Sequence, residues 1–383
     1  NFAFKLFSAA LGAIIYYIVL QVVLWLGLNS NDLKLFSALV VALFLGLAAY
    51  LGYFLQVKSE DVINNSYNAR LDSFSDRIVR GRILASDGTV LAQTQMDGEE
   101  NETRVYPFGD IFDHAVGYST KGKTGIEALA NFYLLTSHVN LMEQVGNELT
   151  GNKNPGDDVY TTLDTELQQA AYTALGARKG VVIAMEPDTG KILAIVSKPG
   201  YDPNSLLGDW EALTAQENKE GQLLNRATQG LYPPGSTFKM VVGTAALQEG
   251  LTTPNEKIKD TGRFQYPAGE KYPYGEYHPA CWYYLQYGGY HPPQDMAHAL
   301  ENSCNIYFYT MGDRLGIDLI NKYASMFGLG KATGFELPEN VGQVAGPETS
   351  EKMGVTWYGG DLLSASIGQG NTLATPLQLA NYI

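Results

Sequence analysis

Residues 231–241 read LYPPGSTFKMV, which places Ser236 three residues ahead of Lys239 at the start of an apolar run. Pro233, Pro234 and Gly235 cannot continue a preceding helix, and STFKMVVGTAALQEG then runs apolar to Gly250. The sequence therefore predicts a helix beginning here, with Ser236 at or beside its N-cap. Capping alone would account for the serine, because a hydroxyl satisfies the orphan N–H groups of a first turn. It does not account for Lys239, since a cation in the first turn faces the positive end of the helix dipole. At i and i+3 the amine and the hydroxyl share a face, so the amine can reach the hydroxyl. The dipole and partial burial lower the amine from its ordinary value of about 10.4 and favour the neutral form, which accepts a proton. A base beside a serine nucleophile is the arrangement that acyl transfer requires.

A second polar island, Asn302 to Asn305, interrupts the helical stretch DMAHALENSCNIYFYTMGDRLG. Ser303 and Asn305 stand at i and i+2 and cannot share a face of one regular helix, so a turn between two helices is expected. An ordinary capping turn is the competing reading.

These residues need a sizeable scaffold. The 383 residues leave room for two or three domains with a real core. Forty acidic against twenty-six basic residues give a net charge of −14 and no basic surplus to displace counterions, so nucleic acid is excluded as a partner. Cys281 and Cys304 imply no disulfide framework, no CxxC or Cys/His cluster suggests zinc, and the five histidines are scattered; no metal or cofactor is expected. In RGRILASDGTVLAQT the Asp-Gly pair between apolar runs signals a hairpin, and GVVIAMEPDTGKILAIVSK signals another across PDTG. TELQQAAYTALGA reads as a helix with Asp164 as N-cap, and GNKNPGDD at 151–158 reads as a module boundary. Residues 262–293, dense in Tyr, Pro and Gly, read as a long irregular loop.

The N-terminal region differs in kind. Residues 35–55 and 6–28 are each apolar for long enough to cross a bilayer core, and neither has the short core and cleavage site of a secretory signal. The basic residues Lys58, Arg70, Arg77, Arg80 and Arg82 would favour a cytoplasmic location for the rest of the chain, but long domains translocate largely regardless of such charges.

YPPGSTFK resembles the SxxK motif, and SCN the SxN motif, of the penicillin-binding proteins and serine β-lactamases. RGRILASDGTVLA, GKTGIEALANFYL, NRATQGLYPPGSTFK, TGFELPEN and SIGQGNTLATPLQLA resemble segments of class B penicillin-binding proteins in the same order, over roughly residues 40–383. The resemblance implies an α+β chain in three parts. These are a membrane region at 1–57 with its anchor at 35–55, a small β-rich pedestal at 58–158, and a transpeptidase domain at 159–383 built on an antiparallel sheet flanked by helices.

The resemblance also implies D,D-transpeptidation of peptidoglycan through a serine acyl-enzyme. Ser236 would be the nucleophile, Lys239 the proton acceptor, Ser303 a proton relay, and Asn305 would hold the substrate amide. Stem peptides and β-lactams would be its ligands and a membrane-embedded glycan polymerase its partner, with the catalytic domain outside the cell membrane. The third family motif, KTG, is expected beyond SIGQG; KTG at 123–125 precedes the nucleophile, and KATG at 331–334 falls in another segment. On this reading the 383 residues stop short of that motif, and the fragment alone would be inactive or impaired. The first forty residues are atypical of the family and look like closing helices of a permease, so a neighbouring reading frame is one explanation and a genuine second span the other. Competing functions are a membrane-bound β-lactam sensor and a non-catalytic scaffold for division or elongation partners.

Overall fold

The computed structural model describes residues 17–18, 21–22, 25, 30–58, 73–96, 101–266 and 277–383. They fall into two compact units, Asn1–Asn68 and Ala69–Ile383. In the first, the Leu-, Ala- and Val-rich stretch Ser30–Tyr53 forms helix α1, followed by a π turn at Phe54–Lys58. Its described side chains include Leu43, Phe44, Leu45, Leu47 and Tyr50, all exposed. The side chains of 30–37 and 40 lie outside the described set, and among the described residues no helix is long and apolar enough to cross a membrane. Most of the expected span at 6–28 lies outside the described residues.

The second unit opens with short strands β1 (Ile78–Val79), β2 (Ile83–Leu84), β3 (Val90–Met96) and β4 (Glu102–Val105). The Asp-Gly signal is a hairpin as read: β2 and β3 pair antiparallel, Gly88 takes φ +86°, and the Asp87 carboxylate accepts from Thr89 N at 2.9 Å. Short strand pairings lie in and just beyond the boundary segment 151–158. Asn154–Pro155 forms β5, parallel to β1, and Val159–Tyr160 forms β6, parallel to β2, giving the order β4-β3-β2-β6. Turn-forming residues accept such two-residue pairings because only a few backbone groups must be satisfied. Behind this sheet Glu127, fully buried, is held by Arg80 Nε and Arg104 Nε, each at 2.7 Å. Burial would raise its carboxyl, but the two guanidiniums outweigh it and hold Glu127 below the usual carboxylate range.

Helix α2 (Thr165–Leu175) begins where expected, Asp164 accepting from Leu167 N at 2.9 Å. It covers the antiparallel hairpin β7 (Gly180–Met185) and β8 (Ile192–Lys198). Buried Gln168 accepts from Ile195 N at 2.8 Å and donates to Ile195 O at 2.9 Å and Ile111 O at 2.7 Å. One apolar core accordingly runs across the expected boundary at 158, joining Ile83, Leu91, Tyr106 and Phe112 to Leu163, Ile192, Ile195 and Leu377.

The remaining helices build the site: α3 (Lys239–Gln248), α4 (Trp282–Tyr287), α5 (Met296–Glu301), α6 (Asn305–Met326, broken at Gly316), α7 (Gly359–Ser366) and α8 (Pro376–Tyr382). Helix α3 is apolar nearly all round and lies in the centre of the second core. Its Val241, Val242, Ala245 and Ala246 cluster with Tyr307, Phe308 and Met311 of α6 and Leu363 of α7. The stretch 262–293 is more ordered than a loop: α4 interrupts it and Arg263 bridges to Ala280, while residues 267–276 lie outside the described set.

Candidate active site

The chain enters the site through a 3-10 turn, Gly235–Phe238, and the α-helix proper starts at Lys239. Ser236 is therefore not the N-cap. The N-cap of α3 is Phe238, and Ser236 is exposed, while Lys239 at the head of the helix is 1% exposed. The turn is braced from the SIGQG segment, where Gly235 N donates to Gly368 O at 2.8 Å and Tyr232 exchanges paired backbone bonds of 2.9 Å with Ala374. Gly368 has φ +70°, and a Cβ there would stand 2.2 Å from Gly235 O. Gly368→Ala should therefore cost at least about 2 kcal/mol and shift the nucleophile's turn. A lower melting temperature together with slower acylation checks this, and an unchanged melting curve refutes it.

Opposite lies the expected turn between two helices, α5 and α6, with Ser303 at φ +49°. Lys239 Nζ donates to Asn305 Oδ1 at 2.7 Å, Ser303 O at 2.8 Å and Ser303 Oγ at 2.9 Å. Ser303 Oγ donates in turn to Ser236 Oγ at 2.9 Å. All four residues singled out from the sequence meet, with one correction: among the described residues Lys239 makes no hydrogen bond to Ser236, and the Ser303 hydroxyl bridges them. The amine is instead engaged by the Ser303–Asn305 turn, where it makes all three of these bonds. Burial pushes the Lys239 amine down to about 8, so an appreciable neutral fraction exists near neutral pH. This chain of hydroxyl, hydroxyl and amine can carry a proton away from an attacking serine. The KTG string at 123–125 is a turn leading into a short helix, and KATG at 331–334 is a turn pinned by Glu339 to Thr333 N at 2.8 Å; neither is a strand.

No local spacing in the sequence points to the group of side chains directly behind this turn. Asp260, Cys281, His291 and Cys304 are all buried and bring one potential ligand atom each within 4.8 Å of the others. The expectation of no Cys/His cluster is corrected: bridges between Ile258 and Gln294 and between Arg263 and Ala280 fold the loop so that distant residues converge. Cys281 Sγ lies 3.6 Å from His291 Nδ1, and Cys304 Sγ 3.9 Å from Asp260 Oδ2. Tetrahedral zinc with bonds of about 2.0–2.3 Å has ligand–ligand edges of about 3.3–3.8 Å, so the donor set fits that ion. His291 Nδ1 and Asp260 Oδ2, at 2.8 Å, form a hydrogen-bonded pair that a shared metal would open by less than about 1 Å. A hydrogen bond between the two free thiols draws Cys281 down and pushes Cys304 up. Cys304 sits between Ser303 and Asn305, so the cluster grips the turn that holds the Lys239 amine from behind.

Known proteins share this architecture. Residues 180–383 match the penicillin-binding protein transpeptidase domain, and residues 80–159 the penicillin-binding protein A dimerisation domain. The peptidoglycan D,D-transpeptidase MrdA of Acinetobacter baumannii is 33% identical over 321 residues, 74% of this chain and 45% of that protein. PbpA of Mycolicibacterium smegmatis, also a peptidoglycan D,D-transpeptidase, is 32% identical over 81% of this chain and 62% of its own length. The chain thus spans about half to three-fifths of the curated relatives it matches. Among solved structures, penicillin-binding protein A of M. tuberculosis as an imipenem acyl-enzyme complex superposes with a TM-score of 0.67 at 30% identity, over 80% of this chain and 70% of that one. Pseudomonas aeruginosa PBP2 in complex with WCK 5153 gives 0.66 at 30% identity, over 80% and 68%.

Proposed function

Because this chain belongs to the class B penicillin-binding proteins, we propose that it crosslinks peptidoglycan by D,D-transpeptidation and is acylated by β-lactams at Ser236. The hydrogen-bonded path from Ser236 through Ser303 to buried Lys239 carries this reading. Ser236 Oγ attacks the carbonyl of the penultimate D-Ala, and its proton passes through Ser303 to the neutral Lys239 amine. The proton then goes to the departing amine of the terminal D-Ala, leaving an ester on Ser236. The amine of a second stem peptide attacks that ester, forms the crosslinking amide and returns the proton to Ser236. Asn305, oriented by its bond to Lys239, holds the donor peptide's amide. The opening 3-10 turn leaves early N–H groups without intrahelical acceptors, and that of Ser236 is one donor for the developing oxyanion.

Asp260, Cys281, His291 and Cys304 would hold a divalent metal, zinc by donor type, in a structural role: through Cys304 they would brace the Ser303–Asn305 turn without taking part in proton transfer. Residues 58–158 serve as the pedestal and 159–383 as the catalytic domain. The exposed apolar side chains of α1 support a membrane anchor within 35–55, with the catalytic part outside the cell and a membrane-embedded glycan polymerase as partner. Intact mass of the protein after benzylpenicillin treatment tests the acyl-transfer reading. One adduct mapped to Ser236 is expected; an unchanged mass, or an adduct elsewhere, overturns it.

A further inference from the structure

We infer that Trp282 is a positioning residue for acyl transfer, its indole N–H holding the same Ser303 carbonyl that receives the Lys239 amine. Trp282 Nε1 donates to Ser303 O at 3.1 Å and to Asn302 O at 3.2 Å, and Lys239 Nζ meets that Ser303 oxygen at 2.8 Å. A carbonyl oxygen has two lone pairs and accepts both donors at once. The carbonyl belongs to a turn that would not hold its shape unaided. Ser303 has φ +49°, a left-handed conformation that costs a non-glycine residue energy and persists only where surrounding contacts fix it. From inside the turn come Ser303 N to Leu300 O at 3.1 Å and Cys304 N to Ala299 O at 2.9 Å. From outside, among the described residues, that oxygen receives the lysine, whose task requires it to exchange protons, and the indole, which keeps its proton throughout.

The indole, 37% exposed, is braced on its inner side. Trp282 is the first residue of α4, whose preceding residue Cys281 is anchored by donating from its N to Gly262 O at 2.8 Å. Its ring meets Tyr283, Tyr287 and His291 edge-on, at centroid distances of 5.7, 6.2 and 5.9 Å. A side chain with only two torsions, held by three ring contacts and two hydrogen bonds, has few ways to withdraw its N–H. When the lysine takes or releases a proton, the Trp282 bond keeps the carbonyl from turning to water, and the Ser303 hydroxyl stays in line between Lys239 and Ser236. Tryptophan at this position is thus required for its N–H as well as its surface.

The inference rests on the acyl-transfer reading of Ser236, and the experiment separates the two. Trp282 is replaced by 3-benzothienylalanine, which keeps the ring shape and lacks the N–H, and in a second variant by Trp282→Phe. The maximal acylation rate and the half-saturating concentration are measured separately with a fluorescent penicillin, alongside the melting temperature. The maximal rate should fall about tenfold in both variants, with half-saturation changed less than about twofold and, for the benzothienyl variant, melting unchanged within about 2 °C. A benzothienyl variant acylated at the unaltered rate overturns the inference, as does a loss confined to half-saturation. If the unaltered protein forms no adduct at Ser236, the acyl-transfer reading falls and this inference falls with it.

Discussion

Lys239→Met lowers the rate of acylation of Ser236 by about a thousandfold or more, because it removes the base to which the hydrogen-bonded path from the nucleophile leads. Methionine fills most of the same volume, and the buried amine it deletes was already disfavoured as a cation, so folding should survive. The hydrogen-bond path also ranks a second variant. Since Ser303 links the amine to Ser236, Ser303→Ala should come close to the lysine variant in its loss, whereas a direct contact between Lys239 and Ser236 would leave Ser303→Ala only mildly impaired. The pH dependence follows from the sign of the lysine shift. The folded value of about 8 lies below the ordinary value, and the reactive form is the neutral amine. The acylation rate of the unaltered protein should therefore climb about tenfold per pH unit below 8 and level off above it. A stopped-flow series with a chromogenic β-lactam measures all three. A flat profile between about pH 6 and 9, or near-normal acylation of Lys239→Met, removes the lysine from its assigned role.

The second large effect concerns the cluster behind the turn. The protein purified without chelator should carry about one equivalent of zinc by plasma mass spectrometry, and His291→Ala should lose it. That variant also leaves Asp260 buried without its imidazole partner, so a destabilisation of about 3–5 kcal/mol is expected, lowering the melting temperature by roughly 6–15 °C. Acylation should fall with it, because Cys304 lies between the two residues that hold the Lys239 amine. Prolonged dialysis against a strong chelator should reproduce both losses in the unaltered protein, and added zinc should reverse them. Protein that contains no metal, and whose melting and acylation are indifferent to chelator, shows the cluster to be a hydrogen-bonded core and nothing more.

Local features were legible in the sequence because local rules fix them. The spacing of Ser236 and Lys239, the incompatibility of Ser303 and Asn305 with one helix face, the Asp-Gly and PDTG turns and the Asp164 cap each involve residues a few positions apart. Assembly over distance was not legible. Asp260 and Cys304 are 44 residues apart, and no local spacing rule places them together with Cys281 and His291; the fold of the tyrosine-rich stretch does that. The same holds for Ser303, whose place between amine and hydroxyl depends on how α3 lies against the turn from α5 to α6. The two-residue strands at Asn154–Pro155 and Val159–Tyr160 were not legible either, because strands so short carry no periodic signal.

The apolar interior common to both halves of residues 69–383 has a mechanical consequence. Ile83 and Phe112 are packed with Ile195 and Leu377, and Gln168 pins a strand on one side to a backbone carbonyl on the other. Such an interior behaves as one stiff body with no swivel at its waist. A force applied at the sheet end would tilt the whole surroundings of Ser236 together, so that any tether there would set the bearing of the site and leave its internal geometry undisturbed.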